Sequence, residues 1–202
     1  MPLWLAADPL VLASGSSARR MLLKSAGVPI DVAPADLDER ALAAGAPSLP
    51  PREIAALLAR AKASAVARHH PGRLVLGADQ MLALGREGFA KPADRAAARA
   101  QLRALAGRTH ELHSAIAFVQ DGTMLFEHVG TARLTVRAFS DQFLDDYLDA
   151  VGDAATASVG AYQIEGLGIQ LFEHIDGDYF TVLGLPLLEV LSFLRRHGCL
   201  LP

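Results

Sequence analysis

Four short stretches of this sequence carry side chains able to hold or activate a phosphorylated substrate. The first is LASGSSARRMLL, residues 12–23, where an apolar run ends in serines and two adjacent arginines. A strand passing through small residues into a helix start exposes unpaired N–H groups, and the helix dipole favours an anion there. Ser14 and Ser16 add hydroxyl donors, and the guanidinium forks of Arg19 and Arg20 match phosphate oxygens. The same stretch also reads as an ordinary capped helix, with Ser16 or Ser17 at the N-cap and both arginines in solvent. The second stretch is GADQ, residues 77–80, in which Asp79 follows the apolar run LVLGA. Ligands of open α/β sheets gather at the carboxyl ends of strands, where a carboxylate can bind a divalent cation or serve as a general base. A turn-forming aspartate is the plainer alternative. The third is DLDER, residues 36–40, whose Asp36, Asp38 and Glu39 form either an acidic site or a solvated turn. The fourth is FAKPAD, residues 89–94, where Pro92 keeps Lys91 out of a helix. Held extended, Lys91 can reach a phosphate; otherwise it is a loop lysine. Lys62, among alanines in LLARAKASA, can simply extend its stem to solvent.

The elements that must position these residues follow from periodicity and stop signals. Residues 9–14 read as a buried strand and residues 17–26 as a helix, with Gly27 just past its end. Residues 29–36 read as a short strand and turn. Residues 50–70 read as an Ala-rich helix begun by Pro50 and Pro51, with Ile54, Leu57, Leu58 and Ala61 on one stripe. A strand is expected at 74–78, then a polar break and a second short strand. A helix over 94–107 has Asp94 as cap and Gly107 as stop. Residues 110–139 read as a hairpin turning at Gln120, Asp121 and Gly122, and a helix begins at Ser140. A second strand pair is expected over 160–184 with a turn near Asp176 and Gly177, then a last helix with Pro186 in its first turn. Helices alternate with strands early and hairpins dominate late, which implies an α/β protein with a mixed sheet.

Composition excludes several functions. The chain has 202 residues, 51% hydrophobic and 20% charged, with net charge −3. No global positive field exists to hold nucleic acid, so an anion site must be a local cluster of Arg and Lys. The single cysteine, Cys199, rules out an intrachain disulfide and a multi-cysteine metal site. The N-terminal residues lack a basic region ahead of the apolar ones and include Asp8, unlike a signal peptide, and no run approaches a membrane span. The expectation is a soluble cytoplasmic protein, one domain over 1–202, with no membrane partner.

No single motif decides the function, but their order does. LASGSSARRMLL, DLDE, AKA, GADQ, KP, GRTH, GAYQIEGLG and LGLPL occur in this sequence from about Leu12 to about Leu194. In that order they resemble the Maf family of nucleoside triphosphate pyrophosphatases. The resemblance implies an elongated mixed α/β fold like that of inosine triphosphatase, with a twisted sheet, flanking helices and a cleft between two lobes, and a homodimer. It implies hydrolysis of a nucleoside triphosphate to the monophosphate and pyrophosphate, with Mg2+ or Mn2+ as cofactor. Asp79 matches the general base, and Glu39 with Asp79 the metal ligands. Arg19, Lys62 and Lys91 match triphosphate-holding positions, and Ser14 and Ser16 the loop hydroxyls. Ala18, Gln80 and Glu165 match specificity positions. Gln80 and Glu165 resemble the subgroup that prefers 7-methyl-GTP, whereas Ala18 replaces that subgroup's aromatic residue and cannot stack on a base. The implied substrates are modified or non-standard nucleotides. The family's association with septum formation leaves a nucleotide-binding regulator without turnover as the alternative, and a phosphatase releasing orthophosphate as a further one.

Overall fold

A computed structural model describes residues 3–202. The strands are β1 (Leu10–Ala13), β2 (Ile30–Val32), β3 (Val75–Leu84), β4 (Glu87–Phe89), β5 (Thr109–Gln120), β6 (Thr123–Val136) and β7 (Phe172–Asp176). The helices are α1 (Ser17–Ser25), α2 (Glu39–Ala44), α3 (Pro51–Ala67), α4 (Arg95–Leu105), α5 (Asp141–Val151), α6 (Tyr179–Val182) and α7 (Leu187–Arg196). One seven-stranded sheet runs in the order β2-β1-β3-β5-β6-β7, with β4 paired to β3. β1 is parallel to both β2 and β3, whereas β4 and β7 pair antiparallel with β3 and β6. The mixed α/β sheet expected from the sequence is therefore the observed architecture. No described helix is long and apolar enough to cross a membrane.

The chain divides into two compact units. The first takes the chain up to Gln80, His113–Gly130 and Asp178–Pro202; the second takes Met81–Leu112 and Thr131–Gly177. In the first unit β1 is wholly buried and α3 lies against β3. Gly77 makes that approach possible: a Cβ there would lie 2.1 Å from the Ala59 carbonyl oxygen and 2.8 Å from the Ala63 Cβ. In the second unit α4 and α5 are joined by the Arg99 Nε donating to Asp145 Oδ1 at 2.6 Å. There His110 on β5 meets the Tyr162 hydroxyl at 2.6 Å, with Phe172 6.1 Å from its ring.

Several boundaries follow the expected caps. Ser16, Asp94 and Ser140 accept from the backbone of the helices they precede. Asp121 and Gly122 take positive φ of 49° and 77°, as a two-residue hairpin turn requires. Other expectations fail for physical reasons. GADQ is no break: β3 runs straight through it to Leu84, because Asp79 and Gln80 both find polar partners there. DLDER is no simple turn, since Asp38 caps α2 through Ala41 N–H. The buried face of α3 includes Ala55, Ala59 and Lys62, while Leu57 and Ala61 are only half-buried. The strand pair expected over 160–184 reduces to β7. Gly160 and Ala161 take positive φ, Gly168 packs close against the Gln163 backbone, and residues 159–161 and 167–171 coil into 3-10 turns. After Gly177 the chain enters α6, capped by Asp178, and Pro186 precedes α7.

Candidate active site

The parallel pairing of β1 with β3 sets the geometry. Ala13, the last residue of β1, lies opposite Gly77, so Ser14 and the start of α1 emerge beside Ala78 and Asp79. Arg19 sits one turn into α1 and folds back toward this strand end. Its Nη1 donates to Ser14 Oγ at 2.9 Å and to the Ala78 carbonyl at 2.8 Å, and its Nε donates to the Gly184 carbonyl at 2.8 Å. Ser14 Oγ also accepts from Ser16 N–H at 3.3 Å. Ser16 is the N-cap of α1, accepting from Arg19 N–H at 3.4 Å. The capping reading of this stretch is thus correct for Ser16 and incorrect for Arg19, which is 8% exposed.

α3 supplies the second cation. Lys62 is 7% exposed, so it does not extend to solvent. Its Nζ lies 2.7 Å from Asp79 Oδ1 and 2.8 Å from Glu39 Oε2. Two carboxylates from β3 and α2 therefore converge on one ammonium. Asp79 is 6% exposed, and this burial pushes its carboxyl above the usual carboxylate range. The charges of Lys62 and Arg19 and the Lys62 hydrogen bond oppose that rise, while Glu39 adds to it. Burial likewise lowers the Arg19 guanidinium, against the pull of Asp79 and Glu39. A partly desolvated carboxylate beside two cations suits a general base facing an anionic substrate.

The structure thus gathers Ser14, Ser16, Arg19, Glu39, Lys62 and Asp79 in the first unit. Ala18 is half-buried on α1 and Arg20 exposed on the same helix. Gln80 turns to other partners, its Nε2 donating to Ser114 Oγ and to the carbonyls of Thr181 and Val182. Lys91 and Glu165 are exposed residues of the second unit, Lys91 before α4 and Glu165 in a turn after Ile164. Sequence reasoning missed Ser114, Thr181 and Gly184. A serine inside the apolar run SAIAFV must find a partner when buried, and that was the available signal for Ser114.

On this α/β sheet the site thus holds a buried carboxylate, two buried cations and a second converging carboxylate. The chain is a member of the Maf-like protein family, whose model matches residues 9–197. A protein of Rhodopseudomonas palustris named nucleoside triphosphate pyrophosphatase is 60% identical over 200 residues, covering 99% of each chain. A protein of Mesorhizobium japonicum named 7-methyl-GTP pyrophosphatase is 52% identical over 195 residues, covering 96% of this chain and 98% of its own. Among solved structures, the Staphylococcus aureus Ham1 protein aligns with 64% of this chain and 72% of its own at 15% identity and TM-score 0.37. That likeness is too loose to build on.

Proposed function

We propose that this protein is a nucleoside triphosphate pyrophosphatase that acts on modified or non-standard nucleotides. The observation that carries this reading is Asp79, buried on β3 with its basicity raised and Lys62 and Arg19 beside it. Asp79 takes the proton from the water that attacks the α-phosphorus. Arg19 and Lys62 neutralise charge on the triphosphate as the pyrophosphate leaves. Arg20 adds a further phosphate contact, and the Ser14 and Ser16 hydroxyls keep Arg19 in place. Relatives covering nearly the whole chain carry the pyrophosphatase name, which supports the same reaction.

The residues present fit a divalent cation. Glu39 and Asp79 already converge on a single positive charge, that of Lys62. Among the described residues no cluster of three His, Cys, Asp or Glu could hold a metal ion alone. Two hard carboxylates completed by phosphate oxygens and water are a donor set typical of Mg2+, and Mn2+ accepts the same ligands. A bound divalent ion supplies positive charge for the oxygens of the scissile phosphate.

Base choice in this reading rests on Glu165, which can accept from guanine N1–H and N2–H2. Any influence of Gln80 on the base is exerted through the segment it holds, since its Nε2 is engaged by protein acceptors. The proposal includes a homodimer, checked by sedimentation at twice the chain mass.

The test is a panel of 7-methyl-GTP, GTP, dTTP, UTP, CTP and modified pyrimidine triphosphates with Mg2+ or Mn2+. Pyrophosphate and orthophosphate are quantified separately. Pyrophosphate release from at least one nucleotide is expected. Asp79→Asn should lower kcat roughly 10²–10⁴-fold, the range for loss of a general base, while nucleotide binding weakens far less than turnover. Orthophosphate as the first product, or undiminished turnover in Asp79→Asn, removes the reading.

A further inference from the structure

The residue after the candidate base faces elsewhere. Successive side chains of a strand project to opposite faces, so Gln80 leaves the Asp79 side of β3. Its Nε2 donates to Ser114 Oγ at 3.0 Å, to the Thr181 carbonyl at 3.2 Å and to the Val182 carbonyl at 3.0 Å. Ser114, fully buried on β5, donates Oγ–H to the same Thr181 carbonyl at 2.7 Å. Two side chains from neighbouring strands thus spend their hydrogen bonds on the last residues of α6. A four-residue helix cannot hold itself in place, because nucleating a single turn is unfavourable. Its position is set by these side chains, together with Asp178 at its N-cap.

The chain leaves α6 through Gly184, at φ +94°, a conformation that strains any other residue. A Cβ there would also lie 3.4 Å from Gln80 Oε1 and 3.7 Å from Arg19 Nε. The Gly184 carbonyl accepts from Arg19 Nε. A guanidinium is planar and rigid. Ser14 Oγ, just past β1, and the Ala78 carbonyl, within β3, hold one of its corners, Nη1. Those two bonds hold one edge of the group, and the Gly184 carbonyl on Nε holds another. Nη2, which makes no hydrogen bond among the described residues, then has one direction in which to donate.

We infer that Gln80 and Ser114 are positioning residues: by holding Thr181 and Val182 they place the Gly184 carbonyl that aims the Arg19 guanidinium at the bound anion. This rests on the reading of Arg19 as a triphosphate contact. The residue beside the base thereby tunes phosphate binding.

The test uses inorganic tripolyphosphate, which has no base, with Mg2+ in a calorimeter. Gln80→Leu and Ser114→Ala are each made in the native and the Arg19→Gln backgrounds, with thermal melts as folding controls. Exchange of the Arg19 Nε–H is followed by NMR in the native background. Each variant should weaken tripolyphosphate about tenfold where Arg19 is present, the scale of loosening one charge-assisted hydrogen bond. No further loss should follow where Arg19 is already gone, and Nε–H exchange should quicken. Equal losses in both backgrounds overturn the inference. So does unchanged Nε–H exchange, or intact tripolyphosphate binding accompanied by a reordered base preference. A wild-type chain that hydrolyses no triphosphate, yet whose Nε–H loses protection in both variants, sinks the functional reading and keeps the positioning link.

Discussion

Lys62 does two things at the candidate site, and they separate by pH. In the proposed reaction it is a cation for the phosphates, and it stabilises the ionised form of Asp79 from 2.7 Å. Burial raises the Asp79 carboxyl, while the charge of Lys62 is the largest influence lowering it. A general base works only when deprotonated, so activity falls as pH drops through the Asp79 pKa. Removing the Lys62 charge leaves burial and Glu39 less opposed, and the carboxyl rises further. Lys62→Met should therefore move the acid limb of the kcat/KM profile to higher pH, besides lowering its plateau. A pH series on wild type and variant reads this directly, and an acid limb that stays in place shows that Asp79 is not the titrating base.

At the scale of elements, the approach of α3 to β3 brings Lys62 to Asp79. Gly77 is the contact point, and a Cβ there meets backbone atoms of Ala59 and Ala63 that cannot swing aside. Gly77→Ala should cost about 3 kcal/mol, the upper range for overpacking a core. For a chain this long the thermal midpoint should fall by roughly 6–12 °C. A second element-scale prediction concerns His110, which β5 buries against the turns of residues 159–171. It is 1% exposed, and burial lowers its pKa to about 4. The unfolded chain takes up this proton near pH 6.5 and the folded chain does not, so folded stability drops as pH falls from about 6.5 to 4. The loss approaches about 3 kcal/mol and levels off below. Denaturant melts across that window should show a shallower decline in His110→Gln.

The elements also show how far the sequence could be read. Caps and turns are local chemistry, so Ser16, Asp94, Ser140 and the Asp121–Gly122 turn were legible in residue type and spacing alone. The parallel and antiparallel halves of the sheet followed from the same pattern. The error over residues 160–171 arose because glycines that look like strand interruptions instead drive 3-10 turns through positive φ and backbone contact. At the site, residue types offered Arg19 and Asp79, and Lys62 was added only by the family resemblance. They could not show that Arg19 is held by a carbonyl 165 residues away, nor that Lys62 bridges two carboxylates. Backbone acceptors leave no trace in residue type, so Gly184 stood out only as part of a motif.

For the whole molecule the decisive quantity is charge. The chain carries a net −3, and at the site the buried Arg19, Lys62 and Asp79 stand with the exposed Glu39, two cations and two carboxylates that cancel formally. A nucleoside triphosphate brings about four negative charges into that balance. Neither the long-range field nor the local site therefore favours the free anion, and the cations that hold it have carboxylates competing for them. Binding should depend on a divalent cation, not only catalysis. With a non-hydrolysable α,β-methylene nucleotide, the Kd should be at least roughly tenfold weaker in EDTA than in Mg2+ or Mn2+, about the effect of one screened charge contact at the site. The association rate should change little with added salt, because no positive field steers the encounter. Glu39→Gln should keep less of the metal dependence than wild type, since one of the two converging carboxylates is then neutral. A Kd that ignores EDTA would mean that Glu39 and Asp79 serve only to anchor Lys62, and that the triphosphate is held by arginine and lysine alone.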